Sequence, residues 1–288
     1  MTADVARRAA VLGHPISHSL SPRLHRAAYQ ALGLDWTYEA VDVDEAAFPG
    51  WLAGLDGQWA GLSLTMPLKR VVLPLLDRVE PLAVAVGAAN TVLFTLDGTL
   101  GANTDVYGLV QAIREAAARA GVPGEGFGRA VILGGGATAA SALAAVAELG
   151  TSQADVYVRA AARCGPLLAA ADRLGVKPAL RPWSQGREWM GDLVICTLPA
   201  HQADPLAEAV RYQRRVWGPV PRDAVLLDVA YDPWPSALAG AWADAGGTVA
   251  PGLSMLLHQA VEQVRLMTGR PAPVEAMRAA VELPPCVG

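Results

Sequence analysis

Strand-like and helix-like runs alternate along the first hundred residues. Ala9–Gly13 and Ala60–Thr65 read as strands, and Thr37–Val43 joins them by its alternation of apolar and polar positions. Ser21 reads as a helix N-cap with Pro22 at the first helical position, ahead of an apolar-periodic helix to about Leu32 and a stop at Gly33. Pro67 opens a further helix. Val92–Leu96 and Thr99–Ala102, joined by Asp97-Gly98, read as a hairpin. Asp105 caps a helix to about Ala120. The Gly/Pro-rich stretch from Gly121 to Gly128 then breaks the pattern and is the best candidate for a boundary segment.

Beyond it come a strand, Ala130–Leu133, three glycines, and an Ala-rich helix ending near Gly150. Asp155–Val158, Leu193–Thr197 and Ala224–Val229 are further apolar strands with helical runs between them. That βαβ rhythm predicts a parallel, doubly wound sheet. Leu253–Met267 and Val274–Val281 read as two closing helices.

A chain of 288 residues exceeds one typical small core, so two α/β domains are expected. Hydrophobic residues at 52% and charged residues at 17% allow large cores and argue against disorder. The net charge of −4 offers no basic face for nucleic acid or an anionic membrane. Apolar stretches break well short of the roughly twenty residues a membrane span needs. Arg7 and Arg8 precede only a short apolar run, not the long centre of a secretory signal. Cys164, Cys196 and Cys286 are odd in number and in no CxxC pair, which fits a reducing cytoplasm.

Lys69 is one of two lysines against twenty-one arginines. A lysine placed where arginine is otherwise the default cation suggests proton exchange near neutral pH, which arginine cannot perform. It falls two residues after Pro67, where the positive end of a helix disfavours an ammonium and a nearby carboxylate would oppose that push. Asp105 is a cap that still has a second oxygen to offer. Asn90, between small residues and a strand, either binds a hydroxyl or closes a turn. Gln259, inside an apolar helix, is either satisfied in the core or aimed at a ligand. Ser19 and Ser21 lie two apart, so an extended segment would turn both hydroxyls to one side as a carboxylate cradle; the alternative is a serine-rich turn. His14 and His18 are separated by Pro15 and followed by no third ligand, so no metal site is expected.

Gly134-Gly135-Gly136 stands between a strand and an Ala-rich helix, where glycines let a diphosphate approach the helix N-terminus. The match to GxGxxG is incomplete, because Ala139 takes the place of the third glycine. At the end of the next strand a site preferring NAD usually carries Asp or Glu. This chain has Arg159, with Arg163 four residues on, a pair suited to a 2′-phosphate and hence to NADP.

These segments, in order and over nearly the whole chain, resemble the shikimate dehydrogenase family. Gly13-His-Pro-Ile-Ser-His-Ser-Leu-Ser-Pro22 looks like its carboxylate-binding motif, and Gly61-Leu-Ser-Leu-Thr-Met-Pro-Leu-Lys69 like its catalytic-lysine motif. Gly87-Ala-Ala-Asn-Thr91 and Gly101-Ala-Asn-Thr-Asp105 match its hydroxyl-binding and catalytic-aspartate segments. Asp228-Val-Ala-Tyr-Asp-Pro233 and Gly252-Leu-Ser-Met-Leu-Leu-His-Gln-Ala260 match its closing motifs. The resemblance implies a substrate domain over residues 1–105, completed by 252–288, and a Rossmann NADP-binding domain over 106–251. The site would lie in the cleft at the carboxyl ends of strands. It implies NADPH-dependent, reversible reduction of 3-dehydroshikimate to shikimate by a cytoplasmic monomer or homodimer. Lys69 and Asp105 would be the proton-transfer pair. Ser19 and Ser21 would bind the carboxylate, Thr65, Asn90 and Gln259 the ring hydroxyls or carboxylate region, and Tyr231 would lie near the carboxylate. Ala137, Thr138, Gly252 and Met255 would join Gly134, Gly135, Gly136, Arg159 and Arg163 around the cofactor.

Three departures qualify that picture. Ser63 stands where the family often has Asn, which predicts a weaker or water-mediated substrate contact. Gly136-Ala137 replaces a Gly-Gly pair. Val158-Arg159-Ala160 replaces Asn-Arg-Thr, keeping the arginine without its neighbours and weakening the case for NADP over NAD. An NAD-linked quinate or quinate/shikimate dehydrogenase, or a non-catalytic NADP-binding sensor on the same fold, are the alternatives.

Overall fold

The computed structural model describes residues 6–151, 153–183 and 189–283, so Cys286 lies outside the described residues. The chain forms two compact units, one running through Asp105 and resuming at Gln259, the other spanning Val106–His258.

In the first unit the chain order is β1 (Arg7–Gly13), α1 (Ser21–Ala31), β2 (Trp36–Asp42), α2 (Phe48–Ala53), β3 (Trp59–Leu64), α3 (Leu68–Val71), β4 (Arg78–Val79), α4 (Pro81–Val86), β5 (Thr91–Thr95) and β6 (Gly98–Ala102). The sheet runs β2-β1-β3-β5-β6-β4. β1 is parallel to β2 and β3, whereas β5 is antiparallel to both β3 and β6. Every residue of β3 is buried, as expected of a central strand covered on both faces. Leu12, Leu62, Leu64 and Val92 pack with Phe48, Leu68 and Val72 into one apolar cluster. Each such side chain contributes roughly 1.5–3 kcal/mol by leaving water.

The second unit follows with α5 (Asp105–Ala120), β7 (Ala130–Leu133), α6 (Ala137–Glu148), β8 (Ala154–Val158), α7 (Gly165–Leu174), β9 (Ala179–Pro182), β10 (Leu193–Cys196), α8 (Asp204–Trp217), β11 (Val225–Asp228), α9 (Ala237–Asp244) and β12 (Thr248–Pro251). Its sheet order is β12-β11-β10-β7-β8-β9 with every pair parallel, the doubly wound order of a dinucleotide fold. β7, β10 and β11 are buried throughout, which is why they read as apolar runs, broken only by Asp228 at the end of β11. Two helices close the chain, α10 (Gly252–Thr268) and α11 (Val274–Ala280). α10 starts in the second unit and continues from Gln259 in the first.

Several expectations change. Gly121–Gly128 joins α5 to β7 inside the second unit and is not where the units divide. Ser21 is the first helical residue; the N-cap is Leu20, which makes no side-chain cap bond. α3 is a single turn, because Pro74 lacks a donor and restricts Leu73 before it. Among the described residues no helix is long and apolar enough to cross a membrane.

His25 in α1 is fully buried, stacked on Tyr38 with ring centroids 4.0 Å apart. Its Nδ1 lies 3.0 Å from the Ser21 carbonyl, which only accepts, so Nδ1 carries the hydrogen; Nε2 has no partner among the described residues. Burial lowers the His25 pKa from 6.5 to about 4. The unfolded chain therefore binds more protons between those values. This contribution to stability is complete above about pH 6.5 and is lost as pH falls through about 4. Exposed His14, raised by its hydrogen bond to Asp42, acts in the opposite sense and is lost as pH rises. Replacing His25→Gln keeps a donor for Ser21. Urea titrations from about pH 7 to about pH 4.5 should show the variant losing roughly 2–3 kcal/mol less than the parent. Equal acid-side slopes would contradict this.

Candidate active site

The strand directions gather the candidate residues. β1, β3 and β6 end on the edge of the sheet where β5 begins. The loops leaving Gly13, Leu64 and Ala102, and the one entering Thr91, therefore meet. Backbone bonds tie them: His14 N–H donates to Met66 O at 3.0 Å, Leu64 N–H to Asn90 O at 2.7 Å, Ala89 N–H to Lys69 O at 2.8 Å and Asn90 N–H to Ala102 O at 3.1 Å.

At this edge Lys69 Nζ lies 2.6 Å from Asp105 Oδ2, and the two side chains are 13% and 3% exposed. The other carboxylate oxygen, Oδ1, accepts from Asn90 Nδ2 at 2.8 Å. The amide orientation of Asn90 follows from the network. Thr104 N–H, which can only donate, reaches Asn90 Oδ1 at 2.8 Å, so the NH₂ must face Asp105. The same NH₂ donates to Gln259 Oε1 at 2.9 Å. Lys69, Asn90, Asp105 and Gln259 thus form one hydrogen-bonded set. The helix behind Lys69 is one turn long, so the expected helix-end field has little behind it, and the Asp105 carboxylate is the dominant neighbour.

Ser19 and Ser21 are not in an extended segment. Leu20 between them has helical dihedrals, φ −88° and ψ −3°, so the period-two argument does not apply. Ser19 Oγ accepts weakly from Ser21 N–H at 3.4 Å. Ser63, expected to leave a looser substrate contact, is instead 2% exposed and fully engaged, accepting from Tyr38 Oη at 2.6 Å and donating to Gln263 Oε1 at 2.8 Å. Gln263 was not singled out in the sequence. Its signal was the spacing of one helical turn from Gln259, which puts both amides on one side of α10. Thr104, likewise passed over, is adjacent to Asp105.

In the second unit Gly134 follows β7 with φ +118°, a left-handed conformation that favours glycine. Gly136 precedes α6 and leaves its first amides without a side-chain cap, and a Cβ there would meet open space. Ala137 and Thr138 are the first residues of α6. A cavity of about 220 Å³ is lined by Gly134, Gly135, Arg159, Arg163, Trp183 and Gln202 among others. Arg159 donates to Gln202 Oε1 at 3.4 Å, and neither arginine has a carboxylate partner among the described residues. Glycine turn, uncapped helix and two uncompensated guanidinium groups fit a phosphorylated dinucleotide. Gly252 begins α10 so close to the end of β11 that a Cβ would lie 2.6 Å from Asp228 O, and Met255 is buried one turn on. Tyr231 is half-buried in the loop after β11.

Residues 11–92 match the shikimate dehydrogenase substrate binding domain, and residues 252–282 the shikimate 5'-dehydrogenase C-terminal domain. A shikimate dehydrogenase (NADP(+)) of Methylobacterium radiotolerans is 36% identical over 88% of this chain and 88% of its own length. The crystal structure of Mycobacterium tuberculosis shikimate dehydrogenase superposes with a TM-score of 0.81 at 38% identity, covering 96% of this chain and 98% of that one. The Thermus thermophilus enzyme, solved in complex with NADP(H) and shikimate, gives 0.78 at 32% identity, covering 96% and 98%.

Asn90 carries the arrangement of the carboxylate, so Asn90→Ala should leave Thr104 N–H and Asp105 Oδ1 short of partners. The expected cost is roughly 1–3 kcal/mol, measured by chemical denaturation. A change within about 0.5 kcal/mol would count against this network as a buried, satisfied one.

Proposed function

Because the chain belongs to the shikimate dehydrogenase family, we propose that it catalyses the reversible, NADPH-dependent reduction of 3-dehydroshikimate to shikimate. The observation that carries this reading is the Lys69–Asp105 pair, 2.6 Å apart and almost shielded from water. When bound, NADPH supplies the hydride that reaches the carbonyl carbon. The carbonyl oxygen gains negative charge as this happens, and Lys69 Nζ gives it a proton. In the reverse direction Lys69 takes that proton from the alcohol. Asp105 holds the amine through Oδ2, and Asn90, bound to Oδ1, keeps the carboxylate turned toward it.

Ser19 and Ser21 take the substrate carboxylate, with Tyr231 near it, and Thr65, Asn90 and Gln259 contact the ring hydroxyls or carboxylate region, Asn90 by exchanging its bond to Gln259 Oε1 for one to substrate. The hydroxyls of Ser21 and Thr65 make no bond to other described residues, which leaves them available for that task. Residues 1–105 with the chain from Gln259 form the substrate domain, and Val106–His258 the cofactor domain. Gly134–Gly136, Ala137 and Thr138 would hold the diphosphate, Arg159 and Arg163 would hold the 2′-phosphate, and Gly252 and Met255 would also line the cofactor. The buried thiols of Cys164 and Cys196 suit a cytoplasmic setting.

An absorbance assay at the nicotinamide band, crossing shikimate and quinate with NADP and NAD, tests this. Shikimate with NADP should be the preferred pair. Lys69→Ala should lower kcat about 10²–10⁴-fold with little change in KM. Arg159→Ala should raise the KM for NADPH by about 10–100-fold and leave that for NADH nearly unchanged. Quinate with NAD as the preferred pair, or an undiminished Lys69→Ala enzyme, would overturn the reading.

A further inference from the structure

The network around Asp105 extends beyond the residues that would touch substrate. Gln263 is 1% exposed on α10. Its Nε2 donates to the Asn90 carbonyl at 3.2 Å and to Thr91 Oγ1 at 3.0 Å, and its Oε1 accepts from Ser63 Oγ at 2.8 Å. Two independent features fix the direction of these bonds. The Asn90 carbonyl only accepts, so the Gln263 atom facing it is nitrogen. At the far end Tyr38 is fully buried, and burial pushes its phenol well above the ordinary range, so it keeps its proton and donates to Ser63 at 2.6 Å. Ser63, having accepted, passes its own hydrogen to Gln263 Oε1.

Thr91 then has one hydrogen left to give, and it lies 3.0 Å from Asn90 Oδ1. Every link therefore donates onward: Tyr38 to Ser63, Ser63 to Gln263, Gln263 to Thr91, Thr91 to Asn90 and Asn90 to Asp105 Oδ1. Removing the Gln263 donor frees the Thr91 hydroxyl to rotate. Asn90 Oδ1 then keeps the Thr104 donors but loses the constraint on this side.

We infer that Gln263 is a positioning residue for the reaction: acting through Thr91, it fixes the Asn90 amide and so holds the Asp105 carboxylate against Lys69. This rests on the roles proposed above for Lys69 and Asp105. Ser63 is part of the same device, which accounts for a serine in a strand that is otherwise apolar.

Gln263→Met keeps the side-chain volume and removes all three bonds. Its kcat should fall about tenfold, equivalent to about 1.4 kcal/mol, with KM for substrate within about twofold. In an Asn90→Ala background the same change should alter kcat less than about twofold, since its effect passes through Asn90. Thr91→Val should reproduce the loss and Thr91→Ser should retain near-parental kcat. A purely structural role would lower thermal stability but give additive losses in the double variant, which would overturn the inference. Should Gln263→Met fail to fold, the Thr91 pair decides, and equal kcat for Val and Ser overturns it. Lys69→Met separates the two levels. If it is inactive while Gln263→Met and Thr91→Val are fully active, this inference alone falls. If Lys69→Met is itself fully active, the proposed roles of the pair fall.

Discussion

A carboxylate buried to the degree of Asp105 is costly unless both oxygens find partners. Here one oxygen takes an ammonium and the other an amide, and the rest of the first unit is arranged to bring those two groups in. Lys69 arrives on a one-turn helix after β3, Asn90 on the loop into β5, and Asp105 at the first residue of the helix after β6. Because β3 and β5 are antiparallel, Thr91 pairs with Ser63, and Asn90 is placed beside the end of β3. The sheet topology, rather than proximity in sequence, assembles the site.

Most of the second unit was legible because its central strands are covered on both faces and carry little but apolar residues. What escaped had weak periodicity. β4 has only two residues, β9 is largely exposed, and β12 is a short strand ending in Pro251. The boundary suggested by glycine and proline at 121–128 proved to be an ordinary connection, since turn-forming residues mark a break in regular structure and not a break in packing.

For the site, Lys69, Asn90, Asp105 and Gln259 could be picked out as residue types suited to the chemistry. Their supports could not. Thr91 and Gln263 look like ordinary core-lining positions, and Ser63 like a weakened substrate contact, until the register of β3 with β5 and the course of α10 are known. The serine pair shows the converse error. An alternation rule that holds in a strand fails when the intervening residue, Leu20, takes helical dihedrals.

The scarcity of lysine gives the account its sharpest handle. Arginine in place of Lys69 would keep a permanent positive charge opposite Asp105 but could not release a proton at working pH. The kcat of Lys69→Arg for 3-dehydroshikimate reduction is therefore the most direct measurement. If Lys69 transfers the proton, the variant turns over at least about a hundredfold more slowly than the parent at every pH tested. A variant retaining a tenth or more of parental kcat would mean that charge alone suffices at this position, contradicting the assignment of Lys69 as the acid.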